Sequence, residues 1–141
     1  MKDGASTSSA RTECEVCAEA IKAMRGAAKL AHPREACGIL LGEGARITVF
    51  REAANVHANP ETHFEIDPEA LIAAHRSARE GADQVLGYFH SHPRGSAEPS
   101  ATDQAMAARD GRIWAIVAGE ELRFWRDAPQ GFAALSYSTV E

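Results

Sequence analysis

The feature that most constrains the fold is the apolar run VLGYFHSH (85–92), which ends at Pro93. The run is too short for a helix and is rich in strand-forming residues, so it predicts a buried central strand. Side chains two positions apart on a strand point to the same face, so His90 and His92 would present both imidazoles to one side. The pattern therefore predicts a core strand that ends in two potential metal ligands.

A loop and a short helix should return an acidic side chain toward these histidines. Ser100 is a favoured N-cap, and the helix ATDQAMAARD that follows it is predicted to end near Gly111. Asp103 lies in the first turn of that helix. Taken alone, Asp103 could simply accept hydrogen bonds from the free amides of the helix N-terminus. An isolated H-x-H pair is also a weak signal, because histidines commonly satisfy ordinary hydrogen bonds.

The three side chains together are a stronger signal than any one of them. Three protein ligands and one position left to water are typical of catalytic zinc, whereas structural zinc usually has four protein ligands. Zinc can polarise a carbonyl and can lower the pKa of water to about 7. His90, His92 and Asp103 therefore indicate a site for hydrolytic chemistry.

The rest of the chain predicts helices and strands that alternate irregularly around a mostly β core. The lead-in, residues 1–12, is expected to be disordered, and residues 13–141 are expected to form one domain. The expected elements are a helix over about 13–30 that stops at His32, strands near 36–42 and 45–52, a helix from Asp67 to about Glu80, a hairpin turning at Gly119 and Glu120, and a last strand GFAALSYSTV (131–140).

Composition and charge limit the class of protein. A chain of 141 residues fits one compact core, and a net charge of −5 argues against a general nucleic-acid surface. No apolar stretch approaches the roughly 20 residues of a membrane span, and the N-terminus lacks the apolar run of a signal peptide, so we expect a cytoplasmic protein. Without an export signal, Cys14, Cys17 and Cys37 do not suggest disulfides, and the first two are expected to pack on the first helix.

The stretch HSHPRGSAEPSATD resembles the signature of the JAMM (JAB/MPN-type) zinc metalloproteases, H-x-H-P, six residues, then S-x-x-D. Upstream, HPREACGILLG is similar to that family's P-x-E-x-C/S-G segment. The stretch AANVHANPETHFEIDPEAL is similar to its N-x-x-x-x-P stretch, which precedes an aromatic residue and a D-P that opens a helix. The resemblance covers roughly residues 13–127. It implies a single α/β domain with a curved, mixed, largely antiparallel sheet flanked by helices.

The resemblance also implies roles for individual residues. It implies one zinc ion held by His90, His92 and Asp103, with Glu35 as general acid/base. It further implies that Ser100 helps to stabilise the developing oxyanion. A carboxylate beside the metal can take a proton from water and deliver it to the leaving amine, which suits Glu35.

Simpler alternatives stay open for several of these positions. Glu35 could form a surface salt bridge beside Arg34, and Ser100 could serve as a helix cap alone. Cys37 follows Glu35 by two residues and would share its strand face, so it is a possible substrate-lining residue. Asn55 lies in a loop that could border the cleft and is a second such residue.

The resemblance implies hydrolysis of a peptide or isopeptide bond after the C-terminal Gly-Gly of ubiquitin or a ubiquitin-like protein. The deubiquitinases of the family use long insertions to grip two linked ubiquitins. There is no room for them between His63 and Asp67 or between Asp103 and Trp114. The chain therefore resembles the short, free-standing prokaryotic members, whose expected substrates are ubiquitin-like modifiers or sulfur-carrier proteins.

Three functions remain open at this point. The first is deconjugation or precursor processing of a bacterial ubiquitin-like protein, with activating and conjugating enzymes encoded in the same operon. The second is release of an amino acid such as cysteine from a sulfur carrier. The third is a non-catalytic scaffold, against which the presence of all three ligands and the glutamate argues. A zinc deaminase would need a P-C-x-x-C segment, which the sequence lacks.

Overall fold

The structure is a computed structural model that describes residues 13–141, so the lead-in predicted for residues 1–12 lies outside the described residues. The helices are α1 (Ala18–Ala31), α2 (Pro68–Arg79) and α3 (Ala101–Met106). The strands are β1 (Cys14–Cys17), β2 (Cys37–Glu43), β3 (Arg46–Ala53), β4 (Gln84–Ser91), β5 (Ile113–Ala118), β6 (Glu121–Ala128), β7 (Gly131–Leu135) and β8 (Tyr137–Val140). None of these helices is long and apolar enough to cross a bilayer.

The strands form one mixed sheet in the order β7-β6-β5-β4-β2-β3-β1-β8. The pairs β4–β5, β1–β3 and β1–β8 are parallel, and the other four pairs are antiparallel. Strands β7 and β8 are separated by Ser136 alone yet stand at opposite ends of this order, so the sheet curls until its edges meet. Where these edges meet, the ring centroids of Phe124 on β6 and Tyr137 on β8 lie 4.6 Å apart. The expected curved, mixed, largely antiparallel sheet is confirmed.

Helices α1 and α2 pack against opposite faces of the sheet. On the first face, α1 buries Met24 and Ala27 against a cluster that includes Phe89 and Val117. On the second face, α2 covers a smaller cluster around Ile39. Helix α2 begins as predicted, because the Asp67 side chain accepts a hydrogen bond from the amide of Glu69 (3.1 Å) and Pro68 occupies the first turn.

Strand β4 lies near the middle of the sheet, as its apolar composition predicted. It pairs antiparallel with β2 and parallel with β5. A Cβ atom on Gly87 would overlap the carbonyl oxygen of Ile113, so only glycine allows the two strands to approach here. The strand is therefore held on both sides along most of its length, which gives its C-terminal end a rigid support.

Two predictions at the ends of the chain were wrong. Residues 14–17 form β1 rather than the start of the first helix, because they pair with β8, where Cys14 lies opposite Tyr137. Cys14 is buried as expected, but on a strand. The single strand predicted over 131–140 is two strands, β7 and β8, which pair with opposite edges of the sheet.

The third helix is shorter than predicted. It ends at Met106, and Ala107 is already extended, with φ −66° and ψ 138°. The chain then turns at Arg109, whose φ is 57° and whose amide donates to the buried carboxylate of Asp127 at 3.0 Å. This contact with β6 competes with continued helix and explains why the helix stops before Gly111.

Candidate metal centre

The two histidines of the H-x-H pair stand at the end of β4, on the face opposite α1. His90 pairs with Cys37 on β2 and with Ile116 on β5, so it lies inside the sheet and is 0% exposed. His92 follows the last residue of β4, and its amide donates to the carbonyl of Val117 at 2.8 Å. The extended backbone therefore places both imidazoles on one face, as the two-residue spacing predicted.

Helix α3 brings Asp103 to these imidazoles. The Ser100 side chain accepts a hydrogen bond from the Asp103 amide (3.1 Å), and the Asp103 carboxylate accepts one from the Ser100 amide (2.9 Å). This reciprocal capping box fixes the carboxylate against the helix start. Its Oδ2 atom lies 3.1 Å from His90 Nε2 and 3.2 Å from His92 Nε2, and the two Nε2 atoms are 3.0 Å apart.

These three atoms fit a zinc ion. Bonds of about 2.0–2.1 Å in a tetrahedral arrangement place donor atoms roughly 3.3 Å apart, close to the spacings seen here. Two imidazole nitrogens and one carboxylate oxygen are donors that zinc prefers, and they leave one of four positions open. Among residues 13–141, His90, His92 and Asp103 are the group of three such side chains that could hold a metal ion.

Hydrogen bonding prepares His92 to bind a metal through Nε2. Its Nδ1 atom lies 2.7 Å from the carbonyl oxygen of Ser96, so Nδ1 carries the proton and donates it. The Nε2 lone pair is then left for the metal, which is a common arrangement around zinc. Burial lowers the pKa of His92, but its hydrogen bonds with Asp103 and Ser96 outweigh burial and raise the pKa above the usual value, so a metal ion would displace the proton that Nε2 shares with Asp103.

The other two groups are held in the protonation states that metal binding needs. Burial lowers the pKa of His90 and so favours its neutral form, against an opposing effect of Asp103. Burial alone would raise the pKa of Asp103. Hydrogen bonds to His90 and His92 and from the Ser100 amide outweigh burial and hold the pKa of Asp103 well below its usual range. An anionic carboxylate beside a neutral imidazole is ready to bind a cation without first losing a proton.

Glu35 stands next to this cluster because of the register between β2 and β4. The amide of Ser91 donates to the carbonyl of Ala36 at 3.0 Å, which extends the antiparallel pairing and sets Glu35 opposite His92. Glu35 is only 7% exposed. Burial raises the pKa of Glu35 to about 7, an effect that His92 opposes and Asp103 reinforces. A carboxyl group with such a pKa can both accept and return a proton near neutral pH.

Ser100 completes the ring of polar groups around an open cleft of about 400 Å³. Glu35, His92 and Ser100 all line this cleft. Ser100 is exposed, and its hydroxyl oxygen accepts from the Asp103 amide, so its own proton remains available to a ligand. The cap predicted for Ser100 is therefore present, and the position also faces the space where a substrate would lie.

Asn55 is not part of the cluster of candidate metal ligands, but its side chain forms a hydrogen bond with the backbone of Glu35. Its amide nitrogen donates to the carbonyls of Glu35 and His63, each at 3.0 Å. Its amide oxygen accepts from the backbone amides of His57 (3.1 Å) and Glu65 (3.0 Å). Asn55 thus ties the loop over residues 55–66 to the backbone of Glu35.

Cys37 shares the strand face of Glu35, as predicted, but is almost fully buried. Its sulfur lies 3.6 Å from the carbonyl oxygens of Ala53 and Ala54. Burial, with smaller effects of Glu35 and Glu52, raises the pKa of the thiol to about 12, so it stays protonated at neutral pH. This environment agrees with packing rather than with a nucleophile. A groove of about 290 Å³ is lined by Glu35, Cys37 and Asn55 together.

Sequence reasoning missed two aromatic neighbours of the cluster. Phe64 stacks on the His90 imidazole, and Trp114 meets its edge. Trp114 is buried on β5, and the sequence alone gives no sign that it contacts a metal-ligand candidate. The available signal was the aromatic residue in the alternating run His63–Ile66, which directly precedes the D-P of α2.

Comparisons with known proteins agree with this geometry. The model of the family described as prokaryotic homologs of the JAB domain matches residues 18–128. Desampylase from Haloferax volcanii is 36% identical over 86 residues, which are 60% of this chain and 62% of that protein. The CysO-cysteine peptidase from Mycobacterium tuberculosis is 33% identical over 117 residues, 77% of this chain and 79% of that protein.

A solved structure shows that the similarity extends to the fold. The solution structure of protein DSY2949 from Desulfitobacterium hafniense has a TM-score of 0.77 at 28% identity, over 91% of this chain and 93% of that one.

The segment of this chain that matches desampylase spans 62% of the length of desampylase, which is less than two thirds. Because the family model covers α1 to β6, including the two histidines, the aspartate and the glutamate beside them, this chain belongs to the prokaryotic branch of the JAB/MPN (JAMM) family.

Proposed function

We propose that this protein is a zinc-dependent peptidase that cleaves after the C-terminal Gly-Gly of a ubiquitin-like or sulfur-carrier protein. One observation carries the proposal. A single cleft is lined by Glu35, by Ser100 and by His92, which is one of the three candidate metal ligands. The similarity to desampylase and to a CysO-cysteine peptidase supports it.

His90, His92 and Asp103 would hold the zinc ion. When bound there, zinc would supply Lewis acidity to the scissile carbonyl and to the attacking water. Glu35 performs the proton transfers: its carboxylate takes a proton from the water as the water attacks, and then returns it to the nitrogen of the leaving amine. The pKa of about 7 that burial gives Glu35 suits this double role.

Ser100 would act on the carbonyl oxygen. The capping box holds its Oγ in place through the Asp103 amide, and none of the described residues accepts a hydrogen bond from this hydroxyl. A donor fixed in advance stabilises the negative charge that develops on the oxygen at little reorganisation cost. Removal of such a donor costs about 10²–10³ in kcat in other hydrolases.

The shape of the site supports an extended substrate without side chains near the cut. Glu35 lines both the cleft of about 400 Å³ and the groove of about 290 Å³, so both spaces adjoin the proposed general base. Part of the groove is lined by small residues, among them Ala31, Ala36 and Ala53, and the rest by larger ones. A Gly-Gly tail without side chains would lie beside the alanines, and the folded body of the substrate would dock outside the groove.

A second candidate function is release of cysteine from a sulfur-carrier protein. It is favoured by the similarity to the CysO-cysteine peptidase, which extends over 79% of that protein. The chemistry at Glu35 and Ser100 would be the same, because the bond broken is again an amide after Gly-Gly. The two functions differ in the leaving group, which is a lysine side chain or a protein N-terminus in one case and a free amino acid in the other.

The test uses a panel of ubiquitin-like and sulfur-carrier proteins, CysO included, each prepared with three groups after Gly-Gly: a fused protein, a lysine isopeptide and a single cysteine. Each substrate is paired with a version ending in Ala-Ala. We expect the zinc-loaded protein to release the group after Gly-Gly only. Chelation should abolish release and added zinc should restore it.

The pattern of release separates the candidates. Release of fused or isopeptide-linked groups supports the deconjugating peptidase, and release of cysteine alone supports the second candidate. If zinc-loaded protein cleaves no member of the panel, both proposals fail and a non-catalytic role in assembly becomes the better account. Cleavage that persists after complete removal of metal would contradict the proposed zinc chemistry.

A further inference from the structure

His90 is held between two aromatic side chains. The ring of Phe64 stacks on the imidazole, with centroids 4.2 Å apart and planes inclined by 15°. Trp114 meets the same imidazole edge-on, with centroids 5.6 Å apart and planes at 90°. Phe64 and Trp114 also contact each other, at 5.8 Å. The imidazole is therefore enclosed on one face and along one edge.

The two histidines are held in different ways. His92 donates through Nδ1 to the carbonyl of Ser96 at 2.7 Å. The corresponding Nδ1 of His90 is buried and has no hydrogen-bond partner among residues 13–141. Metal-binding histidines usually donate this second nitrogen to a carbonyl or carboxylate, and that bond sets the orientation of the ring. For His90, packing must do so.

The two aromatic rings are themselves fixed by the fold. Phe64 lies in the loop that an antiparallel bridge between Asn55 and Ile66 closes. Trp114 belongs to β5, which is paired on both sides, and it packs edge-on against Phe132 at 4.8 Å. One ring thus comes from the loop beside the cleft and the other from the sheet. The imidazole of His90 is therefore packed against two elements outside its own strand.

We propose that Phe64 and Trp114 are positioning residues that set the plane of the His90 imidazole, so that its Nε2 atom points toward His92 and Asp103. Rotation about the Cβ–Cγ bond of His90 would drive an edge of the imidazole into the face of Phe64. The inference rests on the proposed zinc site and adds two residues to it. It also assigns a function to the aromatic residue that precedes α2.

The test is the zinc affinity of Phe64→Leu, measured by competition with a chelator. Leucine keeps an apolar side chain but removes the flat surface on which the imidazole rests. We expect the dissociation constant for zinc to rise about tenfold, the lower end of what loss of a supporting residue costs in zinc sites. The absorption spectrum of the Co²⁺-loaded variant should also change, because the geometry of the nitrogen donor changes. Phe64→Tyr, which retains the ring, should restore both properties.

The matched control is Phe50→Leu, the same change on the other face of the sheet, where Phe50 packs edge-on against Phe89 at 4.9 Å. It should leave zinc affinity within about twofold of the original protein, well short of the effect of losing a supporting residue. Equal affinities of Phe64→Leu and Phe50→Leu, with both proteins folded by circular dichroism, would overturn the proposal. If Phe64→Leu does not fold, Trp114→Phe carries the test, with a smaller rise expected because an aromatic edge remains.

Zinc binding is measured without any substrate, so the outcomes separate this inference from the proposed function. A protein that binds zinc with the expected difference between Phe64→Leu and Phe50→Leu but cleaves nothing would refute the peptidase and retain the positioning role. A protein that binds no zinc at all would refute both.

Discussion

The two faces of strand β4 differ in chemistry where Phe89 and His90 stand. Phe89 and His90 are neighbours in sequence, and both are 0% exposed. Phe89 points into the apolar cluster under α1, whereas His90 points to Asp103, Phe64 and the cleft beyond them. Because adjacent side chains of a strand alternate between faces, one strand supports the core and the metal site at once. Changes on the two faces should therefore have separable effects.

The two faces also differ in what their burial costs. Apolar groups gain free energy when they leave water, whereas polar groups lose it unless hydrogen bonds or ions compensate. On the second face, His90, His92 and Asp103 compensate one another through short contacts. A bound cation would add to this and stabilise the folded protein by mass action.

The largest effect is expected on the polar face, from Glu35→Gln. The amide has nearly the shape of the carboxylate but cannot accept the proton of the attacking water. We expect kcat to fall by about 10²–10⁴, the usual contribution of a general acid/base. Zinc content, measured by atomic emission, should be unchanged, since Glu35 is not one of the metal-ligand candidates. An undiminished kcat would remove Glu35 from the mechanism.

The next largest effect is expected on the apolar face, from Phe89→Ala. Loss of a fully buried ring typically lowers the free energy of unfolding by about 3–5 kcal/mol. Urea denaturation of the metal-free protein should show this loss. Zinc affinity of the folded fraction should match that of the original protein, because the ring lies on the face opposite His90. A change in affinity as large as that of Phe64→Leu would show that the faces are coupled.

Ser91→Ala is expected to lower both the free energy of unfolding and kcat, each by an intermediate amount. Ser91 shares the face of Phe89, but its hydroxyl accepts from the buried amide of Ala36 at 2.8 Å, immediately after Glu35. Leaving that amide without an acceptor should lower the free energy of unfolding by about 1–3 kcal/mol. Because the segment that carries Glu35 loses an anchor, kcat should fall while zinc content stays constant. Ser91→Thr, which keeps the hydroxyl, is the control. A fall in stability with unchanged kcat would limit Ser91 to the core.

The smallest effect is the pH dependence of kcat/KM. Burial raises the pKa of Glu35 to about 7 in the metal-free protein, and a nearby cation lowers the pKa of a carboxyl group. A general base acts in its ionised form, so kcat/KM should fall about tenfold per pH unit on the acidic side of a midpoint at or below about pH 7. A pH profile of the zinc-loaded protein measures this midpoint. An acidic limb centred above about pH 8 would contradict the assignment.

Much of the candidate site could be predicted because its elements lie close together in sequence. His90 and His92 needed only a strand, and Asp103 needed only a helix that starts at Ser100. Each of these local structures has a strong sequence signal, namely the apolar run, Pro93 and the N-cap serine. The position of Glu35 came from the family resemblance, and the register with β4 gives it a physical basis.

The parts that could not be predicted depend on contacts between distant segments. Residues 14–17 have helical spacing of apolar side chains, and pairing with the distant strands β3 and β8 makes them a strand. The early end of α3 depends on the buried Asp127 of β6. The contact of Phe64 with His90 depends on how the loop over 55–66 folds back. Local propensity contains no information about these partners.

The meeting of β7 and β8 at Ser136 has a consequence for the order in which the protein can be assembled. Glu35, His90, His92 and Asp103 all precede β5 in sequence, so a ribosome synthesises them before the last four strands. Strand β1, in contrast, lies between β3 and β8 and gains its second partner only when residues 137–140 have been made. Such long-range closure is expected to be slow. The sheet is therefore completed only after the segments that contain the candidate metal ligands have been synthesised.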